Sequence, residues 1–193
     1  MRLKYNAPTV LSFTLLCALV MFLTQKFFPG DGNAVKSLAE DWFTVPGRDA
    51  FRFGSLKNWL SIITHALGHK DWMHLINNLT LILLIGPMLE ENYGSKRLLV
   101  MMLVTVLVTG ILNIILFRSS LMGASGVVFM MILLSSFTNF SHGEIPLTFI
   151  LVLVLYMGLP LFNASGPNNI SHFAHIVGGM CGSFFGFFHP PRR

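Results

Sequence analysis

Charge is what this chain has least of. Asp, Glu, Lys and Arg make up 11% of 193 residues, against roughly a quarter in soluble domains. That is too little to coat a water-soluble globule of this size. Cysteine is nearly absent as well. Cys17 and Cys181 both sit in apolar runs, which excludes a disulfide framework and suits small buried hydrophobes. Lys and Arg exceed Asp and Glu by 13 to 8, but the cations are scattered without aromatic or glycine-rich companions. No nucleic-acid partner is expected, and the charge reads as membrane orientation and headgroup contact. No internal repeat is present, which disfavours an inverted-repeat transporter.

In place of charge there are long apolar blocks, 53% of the chain, with a mean hydropathy of +0.67. Blocks near 20 residues are membrane-helix candidates. The expected fold is an all-α polytopic membrane protein, a single domain over 1–193. Its six spans are placed near 9–28, 72–89, 97–117, 125–140, 146–162 and 171–188. The first is too long for a signal-peptide core and no small-residue cleavage pattern follows it. Only eight residues precede it, so no soluble N-terminal domain is expected. Residues 29–64 mix Pro, Gly, Trp, Phe and charges, the composition of an interfacial, partly helical first loop. Gly94 is placed as the C-cap of the second span. Cations in short segments, Lys96 and Arg97 among them, put both termini in the cytoplasm.

Polar side chains are costly in hydrocarbon, so each one inside a span needs a reason. Gly123-Ala124-Ser125-Gly126 opens the fourth span. Its small residues allow close helix packing, and its serine can simply bond back to its own helix. The quartet is not the elbow of soluble hydrolases, but it puts Ser125 in a first turn, where unpaired N–H groups can meet an anion. In the sixth span His175, Gly178, Gly182 and Gly186 share one helix face. That face admits a close neighbour, and a histidine there either bonds a carbonyl within the core or reaches the neighbour. If the neighbour is the fourth span, His175 meets Ser125. His172 lies nearer the helix start and reads as a cap or water-facing residue.

His74 and Asn78, at i and i+4, are two donors on one face and can make an oxyanion hole. His65, His69, His74 and Asp71 offer a competing metal reading, without the H-E-x-x-H pattern. A structural role for His65 and His69, tying the first loop to the second span, is preferred to metal. Glu90, beside Glu91 and Asn92 at the end of the second span, reads as a hydrogen-bonding helix end.

His74-x-x-x-Asn78, Gly123-Ala-Ser125-Gly126 and Ala174-His175-x-x-Gly178-x-x-x-Gly182, in that order, resemble the rhomboid intramembrane serine proteases, most closely the bacterial GlpG type. The resemblance implies a rhomboid-like six-helix bundle. It implies Ser125 as nucleophile and His175 as general base. His74, Asn78 and the Ser125 backbone N–H would form the oxyanion hole, with Gly123, Gly126, Phe129, Gly178 and Gly182 shaping the site. It implies transmembrane-helix protein substrates, no cofactor and no metal. The place implied is the lipid bilayer of a bacterial cytoplasmic (inner) membrane, with the site opening toward the periplasmic face. The fifth span would be a lateral gate and residues 163–170 a cap.

Two features depart from the family pattern. Phe129 stands where a tyrosine is usual, and Trp59 is followed by Leu60 rather than arginine. The alternatives to peptide hydrolysis are a catalytically inactive client-binding relative, a histidine-based membrane metalloenzyme, and a transporter with midplane polar residues.

Overall fold

The computed structural model describes residues 5–26, 42–138, 145, 147–155, 169–189 and 191, without the side chains at 25–26 and 169–172. Its described residues form seven helices and no strand: α1 (Pro8–Lys26), α2 (Leu56–Thr64), α3 (Trp72–Tyr93), α4 (Ser95–Leu116), α5 (Ser125–Ser135), α6 (Leu147–Leu153) and α7 (Asn169–Phe188). The helices α3 and α4 are long and apolar enough to cross a membrane. Shorter apolar helices lie at Pro8–Thr24, Ser125–Ser135 and Phe173–Phe188. The bundle is apolar outside and partly polar inside. Leu84 is 74% exposed, and Leu15 and Val100 are also exposed. His65, Asn78, Thr105, Thr109 and Asn113 are buried. That inversion suits a lipid solvent.

Several helix boundaries differ from the sequence expectation. Helix α3 runs on past 89 to Tyr93 and stops at its C-cap Gly94, whose φ of 83° favours glycine and whose N–H bonds Glu90 O. Within the expected 125–140 stretch, helix α5 ends at Ser135. There Ser135 Oγ donates to Ile132 O at 2.7 Å and Thr138 Oγ1 to Ser135 O at 2.9 Å, while the backbone tightens into three-residue turns at 136–138. The sixth begins at Asn169, two residues before the expected 171. Residues 27–28, 139–140, 146 and 156–162 of the expected spans lie outside the described residues, as do 29–41 of the first loop and 163–168 of the cap.

Two contacts fix the frame. Glu90, buried at the end of α3, receives Thr9 N at 2.9 Å and Val10 N at 3.0 Å on its two carboxylate oxygens. One acid thus caps the start of α1 from 80 residues away, the structural role expected of it. Glu90→Ala is expected to lower the thermal midpoint in detergent by the equivalent of about 2–4 kcal/mol. Glu90→Gln, keeping one acceptor, should fall between. An unchanged midpoint for the alanine variant would refute the cap.

The second contact joins α5 and α7, the most extensive helix pair in the bundle. A Cβ at Gly178 would overlap the Gly126 carbonyl oxygen and lie 2.9 Å from Gly126 Cα. At Gly182 it would overlap the Met130 carbonyl and lie 3.0 Å from Met130 Cα. At Gly186 it would run into the Phe137 ring. The glycine face of α7 therefore meets α5, turn against turn.

Candidate active site

Ser125 is the first residue of α5. Ala124, with φ −83° and ψ 5°, precedes it, and Ala124 O receives Val128 N at 3.0 Å. The N–H groups of the first turn, that of Ser125 included, therefore have no carbonyl of their own helix to bond. One turn on, the Phe129 ring stacks on His175, with centroids 3.8 Å apart and planes within 9°. Gly126 lies against α7, where a Cβ would sit 3.6 Å from Ala174 O. The turn carrying Ser125 and the turn carrying His175 are thus adjoining turns of two helices in backbone contact.

His74 reaches the same place from α3. Gly123 has φ +124°, a conformation that favours glycine. A Cβ there would lie 2.6 Å from His74 Cε1 and 2.9 Å from Nε2. The imidazole is seated against the residues leading into Ser125 because Gly123 has no side chain. One turn further along α3, Asn78 is 6% exposed. Its Nδ2 is buried, with no hydrogen-bond partner among the described residues, and the same holds for His74 Nδ1. A buried amide donor without a partner is expensive to maintain. The side chain of His172 lies outside the described residues.

The first loop braces this site through contacts that carried no signal in the sequence. Val45 exchanges two backbone hydrogen bonds with Leu121, both 2.9 Å, and Gly123 N donates to His65 O at 2.9 Å. Arg48 N donates to Phe117 O at 2.7 Å, and Gly47 packs on the Arg118 backbone. Within the loop three aromatic side chains form a knot. Trp59 Nε1 donates to Phe53 O at 2.8 Å, and the Phe51, Phe53 and Trp59 rings meet edge to face. Asp71 is engaged by the backbone. Its Oδ1 accepts from His74 N at 2.7 Å, the N-cap of α3, which an Asp just before an apolar helix could have announced. Among the described residues no three His, Cys, Asp or Glu side chains converge.

His65 and His69 both brace the site, but by different routes. His69 packs edge to face on the His74 ring, centroids 5.1 Å apart, and so touches the second span as expected. His65 ties the loop to residue 123 instead, through its carbonyl, while its ring Nδ1 pairs with Ile62 O at 3.0 Å. Burial pushes both imidazoles down to about 4, and the neighbouring His74 adds to the effect on His69.

A histidine with a depressed folded pKa binds fewer protons folded than unfolded below its ordinary value. The stability it contributes is present at neutral pH and is lost as pH falls from about 6.5 toward 4. Each histidine should contribute a slope of up to about 1.4 kcal/mol per pH unit across that window. Thermal unfolding in detergent between pH 7 and 4 measures it. His65→Gln or His69→Gln should flatten the acid limb, and an unchanged limb in both would remove these residues as its cause.

The Rhomboid domain family model matches residues 56–192, which contain every residue of this site and most of the chain.

The chain belongs to the rhomboid family.

It is accordingly a membrane-embedded, all-helical protein of that family. It is 27% identical over 134 residues to the rhomboid protease GlpG of Haemophilus influenzae, covering 68% of this chain and 70% of that one. It is 28% identical over 184 residues to the rhomboid protease GlpG of Yersinia enterocolitica, covering 93% of this chain and 62% of that one. RHOMBOID-like protein 4 of Arabidopsis thaliana is 31% identical over 147 residues, covering 74% of this chain and 35% of its own length. The chain therefore spans less than two thirds of the Yersinia and Arabidopsis relatives. In this rhomboid-family chain the Phe129 ring stacks on His175.

Proposed function

We propose that the chain is an intramembrane serine endopeptidase acting through a Ser125–His175 dyad. The observation that carries this reading is the backbone contact of α5 with α7, which brings the Ser125 turn beside the His175 turn. In acylation His175 takes the proton of Ser125 Oγ while the oxygen attacks the scissile carbonyl carbon. The tetrahedral oxyanion collapses, the C–N bond breaks, and His175 returns the proton to the leaving amine. Water, deprotonated by the same imidazole, then releases the acyl group. The oxyanion would be received by Asn78 Nδ2, a His74 ring N–H and the Ser125 backbone N–H. The buried, unpartnered Asn78 amide supports that role. No acid lies within 125–140, 146–162 or 171–188, so a dyad fits better than a triad.

The substrate class is a transmembrane helix of another protein. Its amides are protected by their own hydrogen bonds, so residues that unwind easily near the cleaved bond favour attack. The length of α5, eleven residues, or about 16 Å against a hydrocarbon layer of about 30 Å, supports a Ser125 set below the membrane surface. Water would reach it from the face where α3, α5 and α7 begin. Lys96 and Arg97 at the other end support cytoplasmic termini and hence a periplasmic opening in a bacterial cytoplasmic membrane. No cofactor or metal is required by this chemistry.

Reaction with a fluorophosphonate probe tests the reading. The wild-type protein in detergent should gain one adduct, mapped to Ser125 and absent in His175→Ala. No adduct, or an adduct on another residue, would leave a non-catalytic, client-binding role as the better account.

A further inference from the structure

At the other end of the bundle from Ser125, a groove of about 270 Å³ opens between the first turns of α4 and the last turns of α7. Along α7 it lies about 15–20 Å from His175. Its lining is Lys96, Arg97, Val100 and Met101 from one helix and Phe185 and His189 from the other side. Met101 and Phe185 are buried and form an apolar floor, while Val100, 57% exposed, continues into the apolar exterior of α4. Lys96 and Arg97 are exposed, and neither has an ion-pair partner among the described residues. The nearby Glu90 carboxylate is engaged by the start of α1.

We propose that this groove is a binding site for one anionic phospholipid. The pairing of two cations with an apolar floor matches a phosphate headgroup joined to an acyl chain. A soluble anion would leave the Met101–Phe185 floor uncovered, and a zwitterionic lipid would neutralise its own phosphate. The headgroup phosphate sits against Lys96 and Arg97, with His189 at the rim. The first methylenes of one chain lie on Val100, Met101 and Phe185. Continuity of the groove with the lipid-facing surface lets the occupant enter sideways from its own leaflet. The site holds whether or not Ser125 is a nucleophile.

The test is lipid retention by the delipidated full chain in detergent, read by native mass spectrometry and by titration. The probes are dioleoyl phosphatidylglycerol, dioleoyl phosphatidylcholine and inorganic phosphate. The wild type should retain one phosphatidylglycerol in preference to phosphatidylcholine, and millimolar phosphate should not displace it. Lys96→Gln with Arg97→Gln should weaken the anionic lipid about tenfold or more. Val100→Trp, which fills the groove and keeps both charges, should weaken it comparably. All three substitutions are at exposed positions, and unchanged gel-filtration and thermal profiles verify that the variants are folded.

Equal retention of the two lipids, or undiminished binding by the double variant, overturns the site. Full retention by Val100→Trp reduces it to general attraction of cations to an anionic surface and overturns it too. Displacement by phosphate assigns the cations to a small anion and overturns the lipid.

Discussion

Ser125→Ala is expected to leave no measurable cleavage of a transmembrane substrate, while unfolding at the same temperature as the wild type. In a nucleophile–base pair, removing either partner removes nearly the whole covalent route. The loss measured in such units is on the order of 10⁶-fold in kcat. His175→Ala should fall almost as far, and the double variant hardly further, because the two side chains act on one proton. Asn78→Ala should behave differently. It deletes one oxyanion donor among several, so about 2.7–4 kcal/mol of barrier, or 10²–10³-fold in kcat, should be lost with KM little changed. A gel-based cleavage assay with a reconstituted transmembrane substrate measures all four. Residual cleavage by Ser125→Ala at the wild-type rate would end the dyad reading. A loss in Asn78→Ala expressed only in KM would move that residue from the oxyanion to substrate binding.

The second large effect concerns the seam between α5 and α7. Gly178→Ala places a methyl into the Gly126 carbonyl, and Gly182→Ala does the same at Met130. Overpacking by a methylene typically costs about 1–3 kcal/mol when side chains can move aside. Here the obstacle is helical backbone, which cannot rotate away, so each substitution should exceed that range. The helices would be forced apart, and His175 would move off the Ser125 turn. Both thermal stability and probe labelling should collapse together. Gly126→Ala is the contrast. Although Gly126 lies in the seam, its Cβ would lie 3.3 Å from Thr109 Oγ1 and 3.6 Å from Ala174 O. It should cost within about 1 kcal/mol after a small adjustment of Thr109. Thermal unfolding of the three variants decides the matter. A Gly178→Ala protein as stable as the wild type, or a Gly126→Ala protein worse than it, would refute this picture of the seam.

The parts of the site legible in the sequence are those set by a local period. The i, i+4 and i, i+3, i+7 spacings put His74 with Asn78, and His175 with Gly178 and Gly182, on single faces, because 3.6 residues make a turn whatever lies outside the helix. The glycines further announced that a backbone would come close, and it does. Glu90 was legible only in part. Its position at a helix end suggested hydrogen bonding, but nothing near residue 90 named Thr9 and Val10 as the donors. The first loop was least legible. Val45 with Leu121, and Gly123 with His65, are joined by backbone groups, and backbone hydrogen bonds leave no residue preference to read. That α5 stops at Ser135 was not legible either, because Ser and Thr are tolerated inside apolar helices; here Ser135 and Thr138 turn their hydroxyls back on the chain.

By itself the sequence determined that the chain lies in a bilayer as a helical bundle, since too little charge to coat a soluble globule, together with long apolar runs, admits little else. It also determined which faces of three helices carry polar groups. Only the tertiary structure decided that those faces converge: that the glycine stripe of α7 meets α5 rather than another neighbour, that His175 stacks on Phe129, and that His74 rests on Gly123. The physical reason is one of range. Periodicity and polarity act over a turn or two of helix, whereas the choice of neighbour depends on the summed packing of whole helix surfaces, information spread over residues far apart in the chain.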